Sequence, residues 1–129
     1  MTIKRNEKMT TYYTETHQWI RKEGDSYIAG ITDYAQNELG PIVFVSLPSV
    51  GQTFKAQDEA AVVESMKTAG KVYMPVAGKV ETINAPLNAE PFLVNADAEG
   101  EGWFFTVSPD DPSDVEKLMT KEQYDALTR

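Results

Sequence analysis

The stretch Ala61-Val-Val-Glu-Ser-Met-Lys-Thr-Ala-Gly-Lys-Val-Tyr-Met-Pro75 constrains the fold more than any other part of this chain. Val62 and Val63 lead in, and Val72 to Met74 lead out. Between them, Ser65, Lys67, Thr68, Ala69 and Gly70 are polar, small or turn-compatible, with the apolar Met66 the exception. Two β-forming runs joined by a short polar loop predict a β-hairpin. Lys67 then stands at or near the tip, with its ammonium in water.

A hairpin tip suits a covalently attached group. Bulky neighbours are distant, a modifying enzyme can grip both flanks, and the paired strands fix the site while the long side chain adds reach. An ordinary solvated lysine fits the same position, because charged residues usually face solvent. The residues around it have to decide between the two.

The rest of the chain reads as further short strands. His17 to Arg21 and Tyr27 to Ile31 are strands joined by the turn Glu23-Gly24-Asp25-Ser26. Thr32 caps a short helix through Gln36 and Leu39, which Gly40 ends and Pro41 prevents from continuing. Ile42 to Leu47 is a continuous apolar strand, expected to be buried on both faces. Pro48 to Gly51 turns the chain, and Gln52 to Ala60 is a short strand and loop. Gly78 to Ile83 is a strand, Asn84 to Asn95 a proline-containing loop with one helical turn near Phe92, and Trp103 to Val107 an aromatic-rich strand. Val50-Gly51 leading to Phe54 echoes Ala77-Gly78 leading to Val80, a faint internal repeat. Ser113 with Glu116, and Thr120 with Gln123, form capping-box patterns. Two short C-terminal helices should therefore bury Val115, Leu118, Tyr124 and Leu127. The expected fold is mainly β with short peripheral helices.

The formal net charge of -8 and a sequence pI near 4.6 argue against nucleic acid, whose phosphate backbone an acidic surface repels. Acidity suits docking onto positively lined clefts. There is no cysteine, so neither disulfides nor cysteine-ligated metals are available. No apolar run approaches bilayer length, and Met1 to Thr10 is polar and unlike a secretory signal. Residues 1–10 are expected to be a flexible leader and 11–129 a single domain, cytoplasmic and not bound to membrane. Catalytic chemistry is not indicated. His17 is the only histidine and cannot build a metal site alone, and Ser65 has no apparent histidine partner. Glu99 with Glu101 and Asp110 with Asp111 read as solvated loop acids. No catalytic or metal site is assigned, and any chemistry would belong to a bound cofactor.

Glu64-Ser-Met-Lys-Thr68 resembles the attachment motif of the glycine cleavage H-protein family, E-S-V-K-A. The resemblance extends over roughly residues 13 to 127. It includes Tyr13-Thr14, His17 and Trp19, Gly30-Ile31-Thr32, Ala35-Gln36, Leu39-Gly40, Val43-Phe44-Val45, Leu47-Pro48 and Val50-Gly51. Pro75-Val76, Gly78, Pro91, Leu93-Val94-Asn95 and Gly100-Glu101-Gly102-Trp103 complete it. Biotin-carrying domains set their lysine between two methionines, and only Met66 is present here, so lipoate is favoured over biotin.

The resemblance implies a flattened barrel-sandwich hybrid of two packed sheets. It implies lipoic acid in amide linkage to Lys67, with Glu64, Ser65, Met66 and Thr68 as motif flanks. The arm would shuttle an aminomethyl group among glycine decarboxylase, aminomethyltransferase and dihydrolipoamide dehydrogenase, after attachment by a lipoate ligase or lipoyl transferase. A monomer is expected. Thr16, His17, Gln18 and Lys71 fall where the family shields the loaded arm. Two departures stand out. Gln18 replaces the usual acid between His17 and Trp19, and Lys71 replaces a second acid four residues after Lys67. Pro41, Ser46 and Ser49 also occupy positions that often carry acids. A lysine near a cationic amine is unfavourable by like-charge repulsion. These departures motivate an alternative, an H-like lipoate-binding protein carrying sulfur intermediates for a heterodisulfide-reductase-like sulfur-oxidation complex.

Overall fold

The computed structural model describes residues 10–128. Apart from Thr10, the leader expected over residues 1–10 lies outside them. One sheet is antiparallel and six-stranded. It comprises β1 (Thr11–Tyr13), β2 (Gln18–Glu23), β3 (Ser26–Ile31), β9 (Phe105–Pro109), β8 (Gly78–Ile83) and β5 (Thr53–Phe54), in that spatial order. The second comprises β4 (Ile42–Ser46), β6 (Glu59–Ser65) and β7 (Ala69–Tyr73), with β6 central. The sheets pack face to face without closing into a barrel. Their inner faces meet in one core that joins Ile20, Ala29, Ile31, Val80, Phe105 and Val107 to Ile42, Val45, Ala61, Val63 and Val72. Apolar area removed from water at these positions is the main force holding the layers together.

Helix α1 (Asp33–Leu39) connects the two sheets. The Thr32 hydroxyl accepts the Ala35 N–H at 3.1 Å and so caps its first turn. Gly40 closes the helix at φ 82°, ψ -164°, a conformation that residues with a Cβ avoid, and its N–H donates to the Gln36 carbonyl at 3.0 Å. The segment from Asn84, expected to hold one helical turn near Phe92, holds two, α2 (Pro86–Ala89) and α3 (Leu93–Ala96), which bury Leu87 and Val94. Helices α4 (Ser113–Glu116) and α5 (Lys121–Thr128) end the described chain.

Several sequence expectations are corrected. The strand from Ile42 was expected to be buried on both faces, yet Val43 and Phe44 are 53% and 50% exposed. β4 is an edge strand, and its register shifts between Ile42 and Phe44. The extra residue turns Val43 and Phe44 outward together while Ile42 and Val45 stay in the core. β2 begins at Gln18 rather than His17, which sits in the preceding turn at φ 73°. The last strand starts at Phe105, not Trp103. At the C-terminus, Thr120 and Gln123 form the expected reciprocal cap, with backbone-to-side-chain bonds of 3.0 and 3.3 Å. Ser113 does not cap α4. The residue at the cap is Pro112, and Asp111 instead accepts both the Ser113 N–H and hydroxyl. Val115 and Tyr124 are buried and Leu118 half-buried, but Leu127 is 54% exposed because α5 packs only through its Tyr124 side.

Candidate functional site

The β6–β7 hairpin is real, and Ser65 organises its tip. Glu64 pairs with Ala69 as the last strand register. Beyond it, the Ser65 N–H donates to the Thr68 carbonyl at 2.7 Å. The buried Ser65 hydroxyl accepts the Thr68 N–H at 3.1 Å and the Lys67 N–H at 3.3 Å, and donates to the Thr68 carbonyl. Positive φ outside glycine occurs, among the described residues, only at His17 and Gln57. Met66 and Lys67 therefore do not use the left-handed hairpin turn that favours Asn-Gly, and the serine side chain holds the loop instead. The Met66 N–H donates to the Pro41 carbonyl at 3.1 Å, which ties the tip to the start of β4. Glu64, Met66, Lys67 and Thr68 are exposed. The Lys67 stem runs past Gly40, where a Cβ would lie 3.5 Å from Lys67 Cε.

Beside the tip, α1 and β7 enclose a cleft of about 330 Å³. Its apolar wall comes from Ile31, Ala35, Leu39, Val63 and Val72, and its polar rim from Thr16, His17, Gln18, Glu38 and Lys71. Gly70 permits the close approach of the two elements, since a Cβ there would meet Leu39 Cδ2 at 3.2 Å. The cleft thus brings together the four residues expected to line it.

Their states differ from a simple charged pocket. Gln18 is 1% exposed, and both its amide oxygen and its amide nitrogen are hydrogen-bonded. Its Oε1 accepts from the Thr14 and Thr16 hydroxyls, and its Nε2 donates to the Thr16 carbonyl at 2.7 Å. Its polar atoms are turned into the β1–β2 turn. Lys71 is exposed and ion-paired with Glu59 at 3.0 Å, and this bond raises its pKa. His17 Nδ1 lies 2.7 Å from the Tyr124 hydroxyl, which lies 2.7 Å from the Thr32 hydroxyl that caps α1. Burial lowers the His17 pKa, and Glu38 opposes that shift. The ring also sits 4.9 Å from Tyr34. Among the described residues no group of three His, Cys, Asp or Glu side chains is placed to hold a metal ion, and no helix is long and apolar enough to cross a membrane.

Three contributors escaped the sequence reading. Asn95 accepts the Ile42 N–H at 2.8 Å and donates to Gln36 Oε1 and the Gly40 carbonyl, so it fixes the end of α1 against β4. It stood in a recognised pattern, but nothing local showed what it bonds. Tyr124 was expected only as core, and its hydroxyl contacts are long-range. Glu38 lies in no motif, and nothing local marks it as lining a cleft.

Fold and site define a carrier module, in which two packed sheets present a lysine on a braced hairpin tip over an apolar cleft. The family model for the glycine cleavage H-protein matches residues 11–129. A glycine cleavage system H protein from Shewanella sp. (strain ANA-3) is 52% identical over 116 residues, covering 89% of this chain and 90% of its own length. One from Acinetobacter baumannii is 47% identical over 114 residues, covering 88% and 92%. The crystal structure of a glycine cleavage system H protein from Mycobacterium marinum superposes with a TM-score of 0.82 at 32% identity, covering 91% of this chain and 94% of that one. The chain belongs to the glycine cleavage H-protein family, and its role is that of a lipoyl carrier in glycine cleavage.

Proposed function

We propose that Lys67 carries lipoic acid through an amide bond to Nζ, and that residues 11–129 act as one non-catalytic carrier domain. The observation that carries this reading is the placement of an exposed lysine on a rigid tip whose stem passes Gly40 at the mouth of an apolar-lined cleft. An alkyl arm fits such a wall, and the exposed flanks Glu64, Met66 and Thr68 leave the lysine open to a lipoate ligase or lipoyl transferase. When attached, the lipoyl group would supply the disulfide that accepts the carried carbon unit and its electrons. The chain's own part is positioning. Ser65 fixes the root of the arm, Leu39, Val63 and Val72 exclude water from its apolar length, and Thr16, His17 and Glu38 present polar atoms at the rim. None of these has the arrangement of an activated nucleophile. The Ser65 hydroxyl is bound to its own loop, and His17 Nδ1 is bound to Tyr124.

The partners on this reading are glycine decarboxylase, aminomethyltransferase and dihydrolipoamide dehydrogenase, met in the cytoplasm by a monomer whose net charge of -8 favours positively lined docking clefts. The sulfur-carrying alternative has no support from the relatives, and both observations that motivated it weaken. Gln18 is satisfied within its own turn, and Lys71 is held by Glu59.

Intact mass after incubation with a lipoylating enzyme tests the reading. One lipoyl increment is expected, absent in Lys67→Arg, and that variant should fail to support glycine oxidation in the reconstituted system. An increment that persists in Lys67→Arg would move the attachment elsewhere. A lipoylated chain that glycine decarboxylase never loads would reject the partner assignment.

A further inference from the structure

Within the cleft, the acids that the family resemblance placed on β2 and β7 are replaced by Gln18 and Lys71. Neither offers negative charge to a cargo. The Gln18 amide is buried and bonded to Thr14 and Thr16, and Lys71 is occupied by Glu59. Among the described residues only one carboxylate lines the cavity, and it comes from α1. Tyr34, Ala35, Glu38 and Leu39 all line it. Their spacing, i with i+4 and i+1 with i+5, places them on one face of the helix. Glu38 stands two residues before Gly40, where the Lys67 stem crosses. An arm rooted there and folded back along α1 passes Glu38. The C-terminal end of α1 adds the partial negative charge of its carbonyls. His17 lines the same cavity, and the Glu38 charge partly opposes the burial that lowers the His17 pKa.

We propose that Glu38 is the counter-ion of the cargo's amine in this chain, so that the negative charge of the cleft has moved from the sheets to α1. This rests on the lipoyl-carrier reading above. It makes Glu38 a binding residue, and it leaves Gln18 and Lys71 compatible with an amine cargo.

The test separates the two readings. The lipoylated protein is reduced and its arm alkylated either with bromoethylamine or with bromoethanol. In each case a thiolate sulfur displaces bromide, giving arms of similar size that end in an ammonium or a hydroxyl. The Glu38 side-chain carboxyl carbon is then titrated by NMR, with Glu38→Gln confirming the assignment and Glu116→Gln as a remote charge control. With the amine arm, the acid dissociation constant of Glu38 should rise about two- to fivefold, the range of a partly exposed ion pair, and the hydroxyl arm should leave it unchanged. In Glu38→Gln bearing the unmodified lysine, the His17 pKa should fall further, because the charge that opposes its burial is gone. A Glu38 titration that ignores the amine arm overturns the proposal alone. A chain that takes no lipoate at Lys67 overturns the underlying reading and this proposal with it.

Discussion

Ser65→Ala tests the claim that one hydroxyl braces the carrier tip. The hydroxyl accepts two backbone N–H groups, from Thr68 at 3.1 Å and Lys67 at 3.3 Å, and donates to the Thr68 carbonyl. Net intramolecular hydrogen bonds contribute about 0.5–1.5 kcal/mol each, and a donor left unpaired in a partly buried place costs about 1–3 kcal/mol. Alanine fills nearly the same space, and the 2.7 Å bond from the Ser65 N–H to the Thr68 carbonyl survives. The 3.3 Å contact is at the long end of the range and contributes least. The expected destabilisation is therefore about 1–2 kcal/mol, less than the sum of the parts. Urea denaturation reads it as a lower midpoint at unchanged slope, a shift of about 1 M for a domain of this size. Amide exchange at Thr68 and Lys67 should accelerate selectively, and lipoylation should slow although Lys67 itself is intact. A loss below about 0.5 kcal/mol, the scatter of ordinary surface substitutions, together with unchanged exchange at Thr68, would refute the bracing argument.

Three further outcomes are expected. Gly40→Ala should cost about 1–3 kcal/mol by thermal or urea denaturation, because φ 82° with ψ -164° is a glycine conformation. Its Cβ would meet Lys67 Cε at 3.5 Å, an ordinary contact, so the cost comes from the backbone. Asn95→Ala removes the three bonds by which α3 holds the end of α1 and the start of β4 and leaves the Ile42 N–H unpaired, so a loss of about 2–3 kcal/mol is expected, with exchange accelerating first at Ile42. His17 titrates below its ordinary 6.5 in the folded protein because burial disfavours its cation. Between the folded pKa and 6.5 the unfolded chain binds more protons, so stability rises with pH in that window. Acidification from neutral pH should lower stability through the window and then level off. His17→Gln should flatten that step, and an NMR titration of His17 above 6.5 would contradict it.

The hairpin, the α1 cap, the Gly40 stop and the Thr120–Gln123 box were all legible because each is written in residues a few positions apart. Register and edge position were not. The run Ile42-Val43-Phe44-Val45 has the composition of a doubly buried strand. Only the bulge, and the fact that β4 has a single partner, turn two of its apolar side chains to solvent. Ser113 failed as a cap for a related reason. Asp111 stands two residues upstream and takes its hydroxyl first.

The same distinction governs the charges of the cleft. In the sequence Gln18 and Lys71 read as free groups facing a cargo, whereas in the fold Thr14 and Thr16 bond Gln18 and Glu59 pairs with Lys71. The electrostatics of a site depend on which charges remain unpaired at its wall, and pairing is a property of contacts across the fold. Lys71 meets Glu59 because both lie near one another on the β6–β7 ladder, away from the tip. Glu38 reaches the cleft because α1 shows it the face that also carries Tyr34 and Leu39. Among the described residues, a helix residue with no motif to mark it therefore carries the one carboxylate lining the cleft, while Gln18 is bonded within its turn and Lys71 pairs with Glu59.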